Sequence, residues 1–104
     1  MKTVAFKMHL RAGKKDEYKQ RHDQVWPELK NLLKASGISN YHIFLDESTN
    51  TLFACQQVAG DHGSQDLANN PIVQKWWAHM ADLMEVNDDN SPISTPLEEV
   101  FFME

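Results

Sequence analysis

Tyr18, His22 and Trp26 recur at every fourth position in the stretch from Glu17 to Leu29. If this stretch is helical, the spacing stacks the three side chains on one face. An imidazole titrates near neutral pH and can donate and accept protons in successive steps, so His22 is the candidate catalytic group. The alternative is a histidine on a helix flank. The stripe therefore predicts either an acid/base site or aromatic packing.

A second aromatic feature is the pair Trp76-Trp77. Adjacent residues of a helix point about 100° apart, so we expect one tryptophan to pack in the core while the other lines a cleft. Aromatic faces stack on the C–H-rich faces of sugars, and the hydroxyls of Tyr18 and Tyr41 can orient a polyol. The alternative is a tryptophan-rich core. With His22, these residues predict a site for a small molecule that is both polar and apolar.

Other kinds of site find little support. Cys55 is the only cysteine, and we expect a buried, inert thiol there. The five histidines show no His-x-His or His-x-x-x-His spacing, and Asp88-Asp89 lacks the pattern of a calcium loop. The chain has no phosphate-binding glycine loop or nucleophile elbow. The sequence therefore predicts neither a metal site nor a nucleophile for a covalent intermediate.

Composition restricts the partners. The chain has 104 residues, of which 41% are hydrophobic and 24% charged, and a net charge of −5. These values predict a single domain over residues 1–104 and argue against nucleic acid. No run approaches the ~18 apolar residues of a spanning helix, so we expect no membrane insertion. The lone cysteine and the absence of an apolar leader favour the cytoplasm.

The elements that must position these residues follow from periodicity. Two alternating stretches flank the polar run Glu47–Asn50, which predicts a hairpin. Right-handed crossovers then give an α+β fold of βαββαβ order, an antiparallel four-stranded sheet with both helices on one face, the ferredoxin-like plan. The predicted strands cover residues 3–10, 38–46, 51–58 and 97–103. The first predicted helix covers 14–36 and is bent or restarted at Pro27. A short helical piece is predicted at 65–68, followed by a helix over 72–85 that is capped by Asn70.

The predicted strands are apolar on both faces. Ala5 adjoins Phe6, Phe44 adjoins Ile43, and Phe102 adjoins Phe101, so the face away from the helices also offers apolar groups. An uncovered apolar face marks an interface. We therefore expect a homodimer packed sheet to sheet, a dimeric α+β barrel.

Several short motifs occur together in register across essentially the whole chain. They are Glu17-Tyr18, Arg21-His22, Trp26-Pro27-Glu28-Leu29, Asn40-Tyr41, Trp76-Trp77, Asn90-Ser91-Pro92 and Glu99-Val100-Phe101. In this combination the chain resembles the L-rhamnose mutarotase family. The resemblance implies a dimeric α+β protein that interconverts the α and β anomers of L-rhamnose without a cofactor. It also implies that the proton donor is His22 and that the sugar contacts are Tyr18, Tyr41, Trp76 and Trp77.

Anomer exchange opens the pyranose ring and closes it on the other face of the aldehyde. The hypothesis is that His22 protonates the ring oxygen while the two tyrosines hold hydroxyls and one tryptophan stacks on the sugar; the base stays open. Trp26 is expected to pack at the Pro27 bend instead. Two alternatives are a small-molecule-binding or cofactor-free oxygenase module on the same scaffold, and a structural dimer with Trp76-Trp77 as interface core.

Overall fold

The structure is a computed structural model that describes residues 1–104. Its chain order is β1 (Lys2–His9), α1 (Lys15–Asp23), α2 (Pro27–Ala35), β2 (Ile38–Asp46), β3 (Thr51–Val58), α3 (Pro71–Met80) and β4 (Thr95–Pro96). The expected α+β class with an antiparallel four-stranded sheet is confirmed.

The strands form one sheet in the order β2-β3-β1-β4. β1 and β3 pair along their whole length, from Lys2 opposite Val58 to His9 opposite Thr51. Alternate residues of these strands are buried and join the helix residues in one hydrophobic core, so the helices cover one face of the sheet. The buried strand residues are Phe6, Met8, Leu52, Ala54, Gln56 and Val58.

β2 contains a bulge that determines which way Tyr41 faces. Ser39 pairs with Gln57 and His42 with Cys55, so two residues of β2 oppose one of β3. Asn40 supplies the left-handed backbone at the bulge, with φ of 47°. In a regular strand Ile38 and Tyr41 would face opposite sides, because side chains alternate. The extra residue turns both toward the helices.

The stretch predicted as one helix over 14–36 forms two. Trp26 is extended, with φ of −61° and ψ of 133°, as expected before a proline. Pro27 then occupies the first turn of α2, where its missing N–H has no intrahelical acceptor in any case. Of the two predicted alternatives, a bend or a restart, the structure shows the restart.

The third helix begins as predicted and ends early. The side-chain oxygen of Asn70 accepts a hydrogen bond of 2.9 Å from the backbone N–H of Ile72. The α-helix stops at Met80 and continues as a 3-10 turn over Ala81–Leu83, short of residue 85. The short helical piece predicted at 65–68 is a 3-10 turn at Ser64–Asp66.

The predicted final strand over 97–103 is wrong. β4 is the two-residue segment Thr95–Pro96, which pairs with Lys7 and Phe6 of β1. One further bond joins the Leu97 N–H to the Ala5 carbonyl at 2.9 Å, and the rest of the segment has no strand partner. The alternation in 97–103 is real, but the pairing with β1 ends at Ala5, so the segment does not extend β4. Four of its large side chains are 70% exposed or more: Val100, Phe101, Phe102 and Met103.

The face of the sheet away from the helices is open. Phe44 is 63% exposed and Phe53 39% exposed. Cys55 also lies on this face and is only half-buried, which corrects the expectation of a buried thiol. Its position follows from alternation, since Ala54 and Gln56 on either side point into the core.

Candidate active site

The helix side of the sheet encloses a cavity of about 380 Å³. α1, α2 and α3 form its walls together with β1, β2 and residues 84–92. The lining is mainly apolar, with few polar groups. All five residues predicted for the site line it: Tyr18, His22, Tyr41, Trp76 and Trp77.

His22 lies in the last turn of α1, where its ring contacts two other aromatic groups. It stacks on Tyr18 with ring centroids 4.3 Å apart and meets Trp76 edge-on at 5.4 Å. Its Nδ1 lies 3.1 Å from the backbone carbonyl oxygen of Tyr18. A carbonyl oxygen only accepts, so in the neutral ring Nδ1 carries the hydrogen and Nε2 has the free lone pair.

Burial determines the charge of His22. Desolvation lowers the pKa of the imidazole, outweighing the Tyr18 carbonyl and Asp23, which both raise it. The side chain is therefore neutral at pH 7. A neutral imidazole with a free Nε2 is ready to accept a proton before it donates one.

Tyr18 presents its hydroxyl to the cavity. Its side chain is buried, and no hydrogen bond to a protein group acts on its hydroxyl. Since no fully enclosed side-chain polar atom is left unpartnered, this oxygen must be reachable from the cavity. Burial, and secondarily the proximity of Tyr41, raises the pKa of Tyr18 far above its ordinary value. Tyr18 is thus a neutral hydroxyl available to a ligand.

Trp76 and Trp77 differ from the expectation that they would divide between core and cleft. Both are buried, and both line the cavity. Both rings belong to the same core cluster as Met8, which also lines the cavity. The apolar surface offered to a ligand is therefore larger than the sequence indicated.

Trp26 supports this wall from outside. It does not line the cavity, and its ring meets Trp76 edge-on with centroids 5.1 Å apart and tilts against His79 at 5.4 Å. The expected separation of the stripe is therefore correct: Tyr18 and His22 face the cavity, while Trp26 packs beside the break at Pro27.

Arg21, next to His22 in α1, reaches across to the end of α3. Its guanidinium binds both carboxylate oxygens of Asp82, at 2.8 and 3.2 Å, and donates to the His79 carbonyl at 2.6 Å. Its Nε also donates to Glu17 at 2.9 Å. These bonds join α1 to the end of α3 and hold His22 beside Trp76. The i, i+4 spacing to Glu17 was visible in the sequence, but the partner 61 residues away was not.

Ser64 and Gln56 were missed by the sequence interpretation. Ser64 lines the cavity next to Tyr41, and Gln56 is fully enclosed beneath it. One signal was available: Gln56 interrupts the inward-facing series of Leu52, Ala54 and Val58 with a polar residue. A glutamine in such a position must be hydrogen-bonded.

The protein is thus a small α+β protein whose cavity combines a neutral imidazole, two phenol hydroxyls and apolar walls, as in a binding site for a small polar-and-apolar molecule. The family model described as L-rhamnose mutarotase matches residues 3–103. The chain belongs to the L-rhamnose mutarotase family. The resemblance and the enzyme class expected from the sequence are confirmed.

Individual relatives agree. The chain is 67% identical to L-rhamnose mutarotase of Formosa agariphila and 59% identical to that of Bacteroides thetaiotaomicron, with all of both chains covered in each comparison. It also matches a crystal structure of L-rhamnose mutarotase from Formosa agariphila with a TM-score of 0.93 and 63% identity, again over 100% of both chains. None of its helices has both the length and the apolar character needed to cross a bilayer.

Proposed function

We propose that this protein interconverts the α and β anomers of L-rhamnose by acid/base-catalysed ring opening and closure, an activity of the aldose 1-epimerase type. One observation carries the proposal: a neutral His22, with Nε2 free, lines the same cavity as the hydroxyls of Tyr18 and Tyr41. Ring opening moves one proton from the anomeric hydroxyl to the ring oxygen. A group that first accepts and then donates a proton meets that need.

The proton transfer can be followed atom by atom. Nε2 of His22 takes the hydrogen of the anomeric hydroxyl, and that oxygen forms the aldehyde as the bond from C1 to the ring oxygen breaks. The imidazolium then gives the same proton to the ring oxygen. Both oxygens are bonded to C1, so one ring nitrogen can serve both. His22 is then proton donor and base in turn, and closure on the opposite face of the rotated aldehyde reverses the steps.

The cavity suits a deoxy sugar. Trp76 and Trp77 supply aromatic surface for the C–H groups of the pyranose and its methyl group, while Tyr18 and Tyr41 supply hydroxyls. The volume of about 380 Å³ falls in the usual range for a small-molecule site. We propose substrate-binding roles for these four residues.

The activity is tested by saturation-transfer NMR on L-rhamnose, in which saturation of one anomeric proton is carried to the other by exchange. We expect added protein to accelerate the exchange at neutral pH, with weaker acceleration for L-fucose, whose hydroxyls are arranged differently. Heat-unfolded protein is the control for buffer catalysis. An exchange rate that does not change with protein concentration would remove the proposed activity.

We also propose that two copies pack through their open sheet faces to form a dimeric α+β barrel of the ferredoxin-like plan. Phe44 and Phe53 are exposed on this face, and the apolar segment from Val100 to Met103 has no partner in its own chain. Exposed large apolar side chains in this number are unusual on a monomer. A second copy would cover the face and give the segment strands to pair with.

The dimer is tested by analytical ultracentrifugation of the protein and of Phe44→Asp. We expect a dimer for the wild type and dissociation in the variant, since a carboxylate there would be buried in the interface. Lys19→Asp, an exposed change on α1, is the control and should stay dimeric. A monomeric wild type at micromolar concentration would contradict the proposal.

We place this activity in the cytoplasm. The single cysteine forms no disulfide and lies half-buried on the sheet, which suits a reducing compartment. Fractionation of the source cells, with antibody detection, checks this: recovery outside the cytoplasmic fraction would contradict it.

A further inference from the structure

Gln56 is a fully enclosed polar side chain beneath the cavity, with 0% exposure. It projects from β3 into the core between Ala54 and Val58, where an apolar residue would be usual. Its amide forms two hydrogen bonds with Ser64, which lies at the start of the 3-10 turn. It also acts as a hydrogen-bond donor toward the Tyr41 hydroxyl. The pair of Gln56 and Ser64 is stable because both ends of the amide are satisfied.

The orientation of this amide is fixed by the backbone. The N–H of Ser64 donates to Oε1 of Gln56 at 2.8 Å, and an N–H can only donate. The amide nitrogen must therefore be the group that lies 2.9 Å from the Ser64 hydroxyl oxygen, and it donates to that oxygen. Gln65 also donates to the same oxygen, at 3.3 Å.

The Ser64 hydroxyl is left with one direction for its own hydrogen. Its oxygen accepts from two amides, which uses both lone pairs. The remaining neighbour is the Tyr41 hydroxyl oxygen at 3.4 Å, and Ser64 donates to it. This distance is long for an O–H···O bond, so its effect is on orientation more than on stability. The Tyr41 hydroxyl oxygen then accepts a hydrogen bond from Ser64, and its own hydrogen is free to point into the cavity.

Gly63 allows the backbone before the 3-10 turn to approach the Gln56 side chain closely. A Cβ atom placed on Gly63 would lie 2.7 Å from Oε1 of Gln56, too close for any side chain without displacement of the amide. The carboxylate of Asp66 also accepts from the Gly63 N–H at 2.9 Å. The approach of this turn to the amide is thus built into the backbone.

We propose that Gln56 and Ser64 are positioning residues that fix the Tyr41 hydroxyl as a hydrogen-bond donor toward a sugar oxygen that can only accept, the ring oxygen. The inference rests on the proposed function for the identity of the ligand. The ring oxygen gains negative charge as its bond to C1 breaks, so a donor held toward it acts mainly in the transition state.

Two variants break this directed chain differently. Ser64→Ala removes the hydroxyl. Gln56→Glu keeps the size but replaces the donating NH₂ with an accepting oxygen, which draws the Ser64 hydrogen away from Tyr41. We expect each to lower kcat for L-rhamnose anomer exchange about 3- to 10-fold with little change in KM. Ser48→Ala, which removes an exposed hairpin hydroxyl, is the control.

A double-mutant cycle separates positioning from general damage. In a Tyr41→Phe background, Ser64→Ala should cause no further loss, because its effect passes through the Tyr41 hydroxyl. Equal losses in both backgrounds would overturn the inference while leaving the anomer exchange of the wild type, and so the proposed function, intact.

A ligand-free measurement decides the inference even if the wild type does not act on L-rhamnose. The chain has two tyrosines, so incorporation of 3-fluorotyrosine gives two fluorine signals that Tyr41→Phe assigns. We expect Ser64→Ala and Gln56→Glu to move the Tyr41 signal in the same direction and to leave that of Tyr18 in place. A Tyr41 signal unmoved by either variant would overturn the proposed chain of hydrogen bonds.

Discussion

Replacing Tyr18 by phenylalanine removes one hydroxyl from the cavity and leaves the ring stacked on His22. The hydroxyl has no protein partner, so its removal strands no donor or acceptor in the core. Substitutions that create neither a void nor an unpaired polar group usually change the free energy of unfolding by no more than about 0.5 kcal/mol. For a domain of this size we therefore expect the melting temperature to move by less than about 4 °C.

The ligand contact is affected differently. A neutral hydrogen bond contributes about 0.5–1.5 kcal/mol, which corresponds to a loss of about 2- to 12-fold in kcat/KM for L-rhamnose. Activity and stability should thus separate in Tyr18→Phe. In Tyr18→Leu, which also removes the ring against His22, both should fall because the packing at 4.3 Å is lost.

Saturation-transfer NMR at several sugar concentrations gives the kinetic constants, and thermal unfolding followed by circular dichroism gives the stability. Wild-type kinetics in Tyr18→Phe would show that this hydroxyl does not touch the sugar. A loss of about 2 kcal/mol or more in the free energy of unfolding would show that it is a structural group.

Three further predictions concern charge and packing. The pKa of His22 is lowered from 6.5 in the folded state, so below that pH the unfolded chain binds more protons than the folded one. Both the free energy of unfolding, from urea titrations, and the exchange rate, from pH–rate profiles, should therefore fall as pH drops from 6.5 through the folded pKa. The loss of stability that depends on His22 should be absent in His22→Gln. Leu83→Ala should lower the free energy of unfolding in urea by about 2–5 kcal/mol, since the side chain is 1% exposed. A loss below about 1 kcal/mol would contradict the placement of Leu83 in the core. Gly37→Ala should lower the free energy of unfolding by about 1–3 kcal/mol, because φ is +85° and the new Cβ would lie 2.9 Å from the Cβ of Ala59. In Gly13→Ala the new Cβ meets no neighbour, so this variant should lose less.

Much of the fold was predictable because its pattern is local. The alternation in β1 and the helical spacing around Tyr18 and His22 depend on neighbouring residues, and the Asn70-Pro71 pair marks a helix start by its own chemistry. The predicted site residues line one cavity because these local faces all turn toward the same side of the sheet.

What could not be predicted depends on distant partners. The segment 97–103 has the alternation of a strand, but a strand needs a neighbour, and sequence alone does not supply one. The bulge at Asn40, the contact of Arg21 with Asp82, and the approach of Gly63 to Gln56 arise from pairings that local periodicity does not encode.

His22 is the residue that we propose moves the proton in anomer exchange. The most direct measurement is saturation transfer between the two anomeric protons of L-rhamnose at neutral pH, with wild type, His22→Ala and His22→Gln at equal concentration. We expect acceleration by the wild type and a loss of about 100-fold or more in kcat for both variants, with cooperative unfolding retained. Wild-type exchange rates in folded His22→Ala would show that His22 does not move this proton.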